Sequence, residues 1–446
     1  MKGCDLRQHL ITALCYVLRV PFALFDLIRG PFIQRARQHP QSIDIQTGNA
    51  AGPRLRASHV IRSEKKIVVI KPCCLGDVVM TTPLLEVLHQ AYPDASITYV
   101  VGTWSKVIAE HHPAVTEVID SGTVGIPGHY HLKDYLAVAR QLRKHRFDLA
   151  FVLDRSPLVT LLPFLAGVPR RVGPDSLARG FSLTDRVPVS FSPAKPRHEA
   201  EIYLDLARAI GLPVNAPRMR FVPTEEERQS VPTASRVQVA VFPGGGSNPG
   251  MELTAKRWPL ERYREIARRL VHELDMQVLL IGGPGDVALN DSLLEGLDVP
   301  DGPNPSRQGR PQGSPLPRDE GGMQGEGTVT NIAGKTTIGQ LAAYLERCAL
   351  FIGNDSSPMH LAAAVGIPVI AIFGPTSPEE YGPYPLDDPK HIVLWRHPTG
   401  QPCFFLGQMG PHMDCTCMQA VTVDDVWAAV QRLIPSTRRG VSHDVV

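Results

Sequence analysis

Residues 351–383 read FIGNDSSPMHLAAAVGIPVIAIFGPTSPEEYGP. An apolar run ends at Gly353, and Asn354 and Asp355 follow as turn and cap residues. Pro358 suits the first turn of a helix, where a missing N–H costs nothing. MHLAAAV continues the helix, Gly366 stops it, and PVIAIFG (368–374) is a second apolar run. Strand, helix and strand within about thirty residues is a βαβ unit, and it implies a parallel sheet covered by helices.

The same grammar extends on both sides. VQVAVF (237–242), a helix over 259–274, MQVLLIGG (276–283), a helix near 337–347 and ALFIGN precede the stretch, and VDDVWAAVQRLI (423–434) follows it. Further upstream, KIVVIK (within 65–71) is a β-branched run typical of a strand buried on both faces. DVVMTTPLLEVLHQAY (77–92) is helical, ITYVV (97–101) is a strand, and a helix over 132–145 leads to LAFVL (149–153). The residues between Pro193 and Pro223 hold one helix, RHEAEIYLDLARAIGL, and a Pro-rich turn region. The expected architecture is α/β: two doubly wound halves facing across a cleft. The expected domains are an N-terminal segment and linker (1–60), a first Rossmann-like domain (61–220), a second (221–435) and a tail (436–446). Residues 298–328, rich in Gly, Pro, Arg and Gln, cannot bury enough surface to order themselves and read as a disordered insertion.

Composition sets outer limits. The chain has 446 residues, 43% apolar and 20% charged, which is globular. A net charge of +2 argues against a nucleic-acid binder relying on bulk charge. Eight cysteines are too few for a disulfide framework and fit a reducing cytoplasm. No apolar run reaches the roughly 18 residues of a spanning helix. The first forty residues carry six basic and two acidic side chains. Within them, residues 10–28 are apolar but interrupted by Arg19, Pro21 and Asp26. That pattern fits an amphipathic helix lying in a membrane interface better than a signal peptide. A helix packed on the body of the protein is the alternative.

Four loops at strand ends carry candidate chemistry. Ser356 and Ser357 fall at a helix start, where free N–H groups and the helix dipole suit a phosphate, and His360 lies one turn further. Gly244, Gly245 and Gly246 let backbone approach a ligand closely, with Lys256 and Arg257 downstream. The P-loop spacing is absent. Asp77 follows Gly76 at the start of the helix after the first strand; it is either an N-cap or a general base facing the cleft. Asp286, in IGGPGD (281–286), is placed to accept hydrogen bonds from a ribose. Cys403, His412, Cys415 and Cys417 form a mixed cluster whose irregular spacing favours structural thiols over zinc. Cys73 and Cys74 border the cleft loop, where small side chains fit, and are assigned no catalysis.

Together these residues resemble glycosyltransferase family 9, the bacterial heptosyltransferases of the two-Rossmann GT-B fold. The similar pieces are KPCCLGDVVMTTPLL (71–85), YPDASITYVVG, RRVG with RHEAEIYL, FPGGG followed by AKRWP, and GNDSSPMHLAAAVGIPVIAIFGPT, spread over residues 65–435 apart from 298–328. The resemblance implies an inverting, metal-independent transfer of a sugar, usually heptose from ADP-heptose, onto a lipopolysaccharide core or related glycolipid. It implies no cofactor and no metal, and work at the cytoplasmic face of the inner membrane. Asp77 matches the family's base and Lys256 its lysine on the donor phosphate. Asp355, Ser356, Ser357 and His360 match its donor-binding helix start, and Asp286 its ribose contact. The sequence departs at Ser357, where the family usually carries Gly, so a side chain crowds the donor. That departure opens a second reading, an inactive nucleotide-sugar-binding protein of the same fold. A Rossmann oxidoreductase is disfavoured because no G-x-G-x-x-G joins the first strand to its helix.

Overall fold

The computed structural model describes residues 11–19, 22, 64–126, 129–189, 195–248, 251–297, 328–396, 403–405, 408–409 and 416–434. The 298–327 part of the expected insertion, the tail, His412 and Cys415 lie outside the described residues. A short helix, α1 (11–19), precedes the first sheet.

The first half runs β1 (Lys66–Ile70), α2 (Leu75–Ala91), β2 (Ser96–Val101), α3 (Lys106–Glu110), β3 (Glu117–Asp120), α4 (Leu132–His145), β4 (Leu149–Val152), α5 (Pro157–Leu165), β5 (Arg170–Asp175), β6 (Asp185–Pro188) and α6 (Glu199–Ala209). The second runs α7 (Glu225–Ser230), β7 (Gln238–Phe242), β8 (Ser247–Asn248), β9 (Met251–Glu252), α8 (Leu260–Leu274), β10 (Gln277–Leu280), α9 (Val287–Glu295), β11 (Val329–Asn331), α10 (Ile338–Arg347), β12 (Cys348–Asn354), α11 (Ser357–Val365), β13 (Val369–Phe373), α12 (Pro378–Tyr381), β14 (His391–Trp395), β15 (Phe404–Phe405), β16 (Gln408–Met409), α13 (Cys417–Ala420) and α14 (Val423–Leu433).

Each half holds a six-stranded sheet, ordered β3-β2-β1-β4-β5-β6 and β11-β10-β7-β12-β13-β14. Every pairing in both sheets is parallel. Both orders are the doubly wound 3-2-1-4-5-6, which places ligand loops at the carboxyl ends of the central strands. The interior strands β4, β7 and β13 are buried along their whole length, as helices on both faces require.

The two halves meet along α2 and α11. One apolar cluster runs from Ile67 and Val78 through Met80 and Leu84 to Met359, Leu361 and Phe373. A Cβ on Gly76 would lie 3.3 Å from both His360 Cδ2 and Ser357 Oγ, so glycine lets the start of α2 approach α11. Pro83 sits inside α2 and removes one ladder donor, leaving the Val79 carbonyl without its helical partner. The Thr82 hydroxyl donates to that carbonyl at 2.7 Å, so the helix survives its proline. A second contact lies at the start of α6. His198 Nδ1 accepts from Ala200 N–H, so Nε2 carries the proton and donates to the Gly382 carbonyl at 3.0 Å. The Tyr384 hydroxyl meets Glu201 nearby.

Some local expectations need correction. Helix α2 begins at Leu75 with Cys74 as N-cap, so Asp77 is a first-turn residue and no cap. Asn354 and Asp355 are not caps either: Asn354 ends β12, and Ser356 is the N-cap of α11. The strands β3, β5, β6, β11 and β14 are absent from the sequence reading, because they are short, partly exposed or broken by Gly and Pro.

Candidate active site

The carboxyl ends of β1, β7 and β12 converge on a cavity of about 260 Å³ between the halves. Its wall on the first half is Cys74, Gly76, Asp77 and Met80; the second half contributes Gly246, Lys256, Asp355, Ser356, Ser357, His360, Thr376, Tyr381 and Phe404. A larger recess of about 690 Å³ opens at the far end of α2, between Glu86, Arg218, Arg220 and Lys390. None of the expected site residues reaches it, so its size does not make it the reaction site.

On the first wall, Lys71 Nζ lies 3.2 Å from Asp77 Oδ2 and 3.9 Å from Asp154 Oδ2. Burial pulls the Lys71 ammonium toward neutrality, but Asp77, Asp154 and Glu199 outweigh it and its pKa stands above the usual lysine value. Lys71 is therefore a fixed cation that holds one oxygen of Asp77. The Asp77 side chain remains 39% exposed, on the cavity. Lys71 and Asp154 are missing from the sequence reading; the one signal for them was a charged residue within two positions of the end of each buried strand.

On the opposite wall, Lys256 Nζ pairs with Asp355 Oδ2, and the Thr376 hydroxyl donates to the same oxygen at 2.6 Å. Asp355 is buried, so it holds Lys256 at the cavity edge. Beneath it, Asn354 knits the floor together. Its Oδ1 accepts from Trp258 N–H and from the Tyr263 hydroxyl, and its Nδ2 donates to the Pro243 and Gly244 carbonyls. The Gly-rich loop is thus fixed to the end of β12. Gly246, at φ +78° and with its Cβ position 2.2 Å from the Leu253 carbonyl oxygen, has no room for a side chain.

The free N–H groups at the start of α11, a nine-residue helix, belong to the Ser356–Ser357 corner, which lines the cavity. His360 is buried there, and burial drives its imidazole down to about 4, so it is neutral at pH 7. Its Nδ1 has no hydrogen-bond partner among the described residues. A neutral ring on the cavity wall beside a helix N-terminus suits contact with a hydroxyl or phosphate oxygen.

Gly244, Gly245 and Asp286 stand beside the cavity and do not form its wall. Asp286 Oδ2 accepts from Gly283 N–H at 2.9 Å, and Oδ1 would clash with any side chain at Gly244. Arg257 Nε donates to the Gly245 carbonyl at 2.9 Å. Cys403 and Cys417 approach to 3.9 Å between sulfurs. Among the described residues no group of three or more His, Cys, Asp or Glu is arranged around a metal position.

Two sheets of identical doubly wound order, closing on one shared cavity, are the architecture of the GT-B glycosyltransferases. The model of glycosyltransferase family 9 (heptosyltransferase) matches residues 135–301 and 320–408, more than half of the chain, and the chain belongs to that family. It is a glycosyltransferase. Lipopolysaccharide heptosyltransferase 2 of Escherichia coli K12 is 29% identical over 70% of this chain and 84% of its own length. Lipooligosaccharide heptosyltransferase 2 of Haemophilus influenzae is 27% identical over 73% and 88%. The solved structure of E. coli ADP-heptose lps heptosyltransferase II superposes with a TM-score of 0.60 at 25% identity, covering 82% of this chain and 98% of that one.

Proposed function

We propose that the protein transfers heptose, with inversion, from ADP-heptose to a lipopolysaccharide core or related glycolipid. The first half (61–220) is the acceptor domain and the second (221–435) the donor domain. The observation that carries this reading is one cavity with Asp77 on one wall and Lys256 with the α11 N-terminus on the other. The acceptor hydroxyl gives its proton to the exposed oxygen of Asp77 as it attacks the anomeric carbon. Negative charge grows on the departing diphosphate. Lys256 and the N–H groups at Ser356 and Ser357 neutralise it, and they are aimed before the reaction begins. His360 contacts a donor oxygen, and Asp286 the ribose. The E. coli and H. influenzae relatives, heptosyltransferases of lipopolysaccharide and lipooligosaccharide, support the sugar and the glycolipid class.

The Ser357 hydroxyl bears on the departure from the family pattern. It lies toward Gly76, at the seam between the halves. An intact Lys71–Asp77 pair at the cavity favours an enzyme over an inactive sugar-binding protein.

The protein works at the cytoplasmic face of the inner membrane, held there by its N-terminal segment. No helix among the described residues is long and apolar enough to cross a membrane. One face of α1 packs on the body: Cys15 is buried against Ala178 and Phe181, and Phe22 packs on Phe164 at 4.5 Å. The other face leaves Leu14, Tyr16 and Val17 exposed.

The direct test incubates purified protein with ADP-heptose and a heptose-deficient lipopolysaccharide acceptor, and reads product anomer and ADP release. An inverted glycoside is expected, unchanged by chelators, because the protein supplies the charge at the leaving group. Lys256→Ala should slow transfer by about 10²–10³-fold, the range for losing one stabiliser of transition-state charge, and weaken ADP binding as well. Full activity in that variant, or a strict need for added divalent metal, would refute this account of the leaving group.

A further inference from the structure

Cys73 and Cys74 are joined by a disulfide between adjacent residues, three positions before Asp77. Their surroundings differ. Cys73 is 6% exposed, while Cys74 is half-buried and lines the cavity together with Gly76 and Asp77. Cys74 is also the N-cap of α2, a 17-residue helix, so it stands where the loop after β1 enters the helix that carries Asp77. The buried thiol of Cys348 makes the contrast: burial pushes it up to about 12, and it is chemically quiet.

We propose that the Cys73–Cys74 pair is a reversible thiol-redox modification site that sets the geometry of the loop carrying Asp77, with low-molecular-weight disulfides as the oxidant. In the oxidising direction the Cys74 thiolate attacks one sulfur of the small disulfide and expels one small thiolate. The Cys73 thiolate then attacks Cys74 Sγ, forms the Cys73–Cys74 bond and expels the second. The cysteine pair loses two electrons, the small disulfide gains two, and the two departing thiolates take the protons given up by the cysteines. Two small thiols reverse the sequence.

The bond closes a small ring within these two adjacent residues and ties Cys74 to a buried neighbour directly ahead of α2. Two separate thiols need more volume than one bonded pair. Cys73 is enclosed, so the change on reduction falls on Cys74 and on the cavity it lines. The oxidised form therefore has the preorganised base. This consequence rests on the role given to Asp77 above; the redox chemistry does not.

The test uses the full chain, treated with oxidised glutathione or with a phosphine reductant, then alkylated and digested. Peptide mapping is needed because Cys403 and Cys417 also lie close together. After oxidised glutathione, the peptide holding residues 73 and 74 should be unlabelled and lighter by two hydrogens; after the reductant it should carry two labels. Amide exchange over residues 72–80 should be faster in the reduced form. Transfer should fall about tenfold on reduction, the scale of a sub-ångström misplacement of a catalytic group, with ADP affinity unchanged. Cys73→Ser and Cys74→Ser should each abolish the response to redox state. Two labelled cysteines after oxidised glutathione would overturn the proposal, as would equal exchange in the two forms. If mapping and exchange behave as expected but neither form transfers heptose, the redox site stands and the reading of the reaction falls.

Discussion

Asp77 and His360 face the same cavity from opposite walls and call for different measurements. Asp77→Asn keeps the volume beside Lys71 and removes the proton acceptor. Turnover should fall by about 10²–10⁴-fold, the usual cost of losing a general base. ADP affinity should hardly change, because the phosphate contacts proposed above belong to the other half. Near-normal turnover would reduce Asp77 to a partner of Lys71. For His360 the observable is stability. Its imidazole titrates near 4 in the folded protein against about 6.5 in a free chain, because burial disfavours the cation. Between those values the unfolded chain binds the extra proton. The contribution is thus complete above about pH 6.5 and is lost as pH falls toward 4. At pH 4.5 this one residue should cost about 2–3 kcal/mol relative to pH 7.5. Denaturant unfolding at both pH values should show that difference shrinking in His360→Gln, which cannot take up the proton. An identical pH slope in the two proteins would place the acid sensitivity in other groups.

At the scale of elements, α2 and α11 are the parts whose approach makes the site, and Gly76 limits how close they come. Gly76→Val should force the helices apart, at about 1–3 kcal/mol of stability for overpacking. It should also lower transfer by tenfold or more with every proposed catalytic group intact, since positioning across the cleft is lost. A stable variant with full transfer would show that the halves reach their working arrangement without this contact. The same two helices show what a sequence discloses. Strand ends, Gly-rich loops and the Ser356–Ser357 helix start could be read because local rules govern them: buried β-branched runs, proline in a first turn, glycine at a helix end. The Lys71–Asp77–Asp154 group could not, because it joins the ends of β1 and β4 with α2, and only sheet order makes those neighbours. Likewise β5 and β6 carry Gly173, Pro174 and Pro188 and look like loops until β4 pairs with β5 and β5 with β6. Asp286 was legible as an acidic residue after a strand, but its bond to Gly283 N–H and its packing on Gly244 were not.

Over the whole molecule, the proposed function requires a cavity that takes a water-soluble donor to meet a glycolipid acceptor. The two expectations for residues 10–28, interfacial helix or helix packed on the body, are compatible in α1. Its inner face is held by Cys15 and by an ion pair from Arg19 to Asp175 at 3.2 Å. Its outer face presents Leu14, Tyr16 and Val17, and Leu158, Leu165 and Leu177 are exposed on the elements it packs against. Full burial of a Leu or Val side chain contributes about 1.5–3 kcal/mol. Each basic residue near an anionic leaflet adds about 1 kcal/mol and fades with salt. Deleting residues 1–40 is a poor test, because it would uncover Ala178 and Phe181 and mix loss of membrane contact with loss of packing. Substituting the outer face separates the two. Leu14→Glu with Val17→Glu leaves Cys15 and Arg19 in place, so thermal stability and ADP binding should stay near those of the unchanged protein. Cosedimentation with vesicles containing anionic phospholipid should weaken at least tenfold, and binding by the unchanged protein should weaken as salt rises. Transfer to a vesicle-borne acceptor should fall with it, while transfer to a soluble acceptor fragment should not. Equal vesicle binding by both proteins would remove α1 from the membrane contact and leave it as a brace on α5 and the β5–β6 connection.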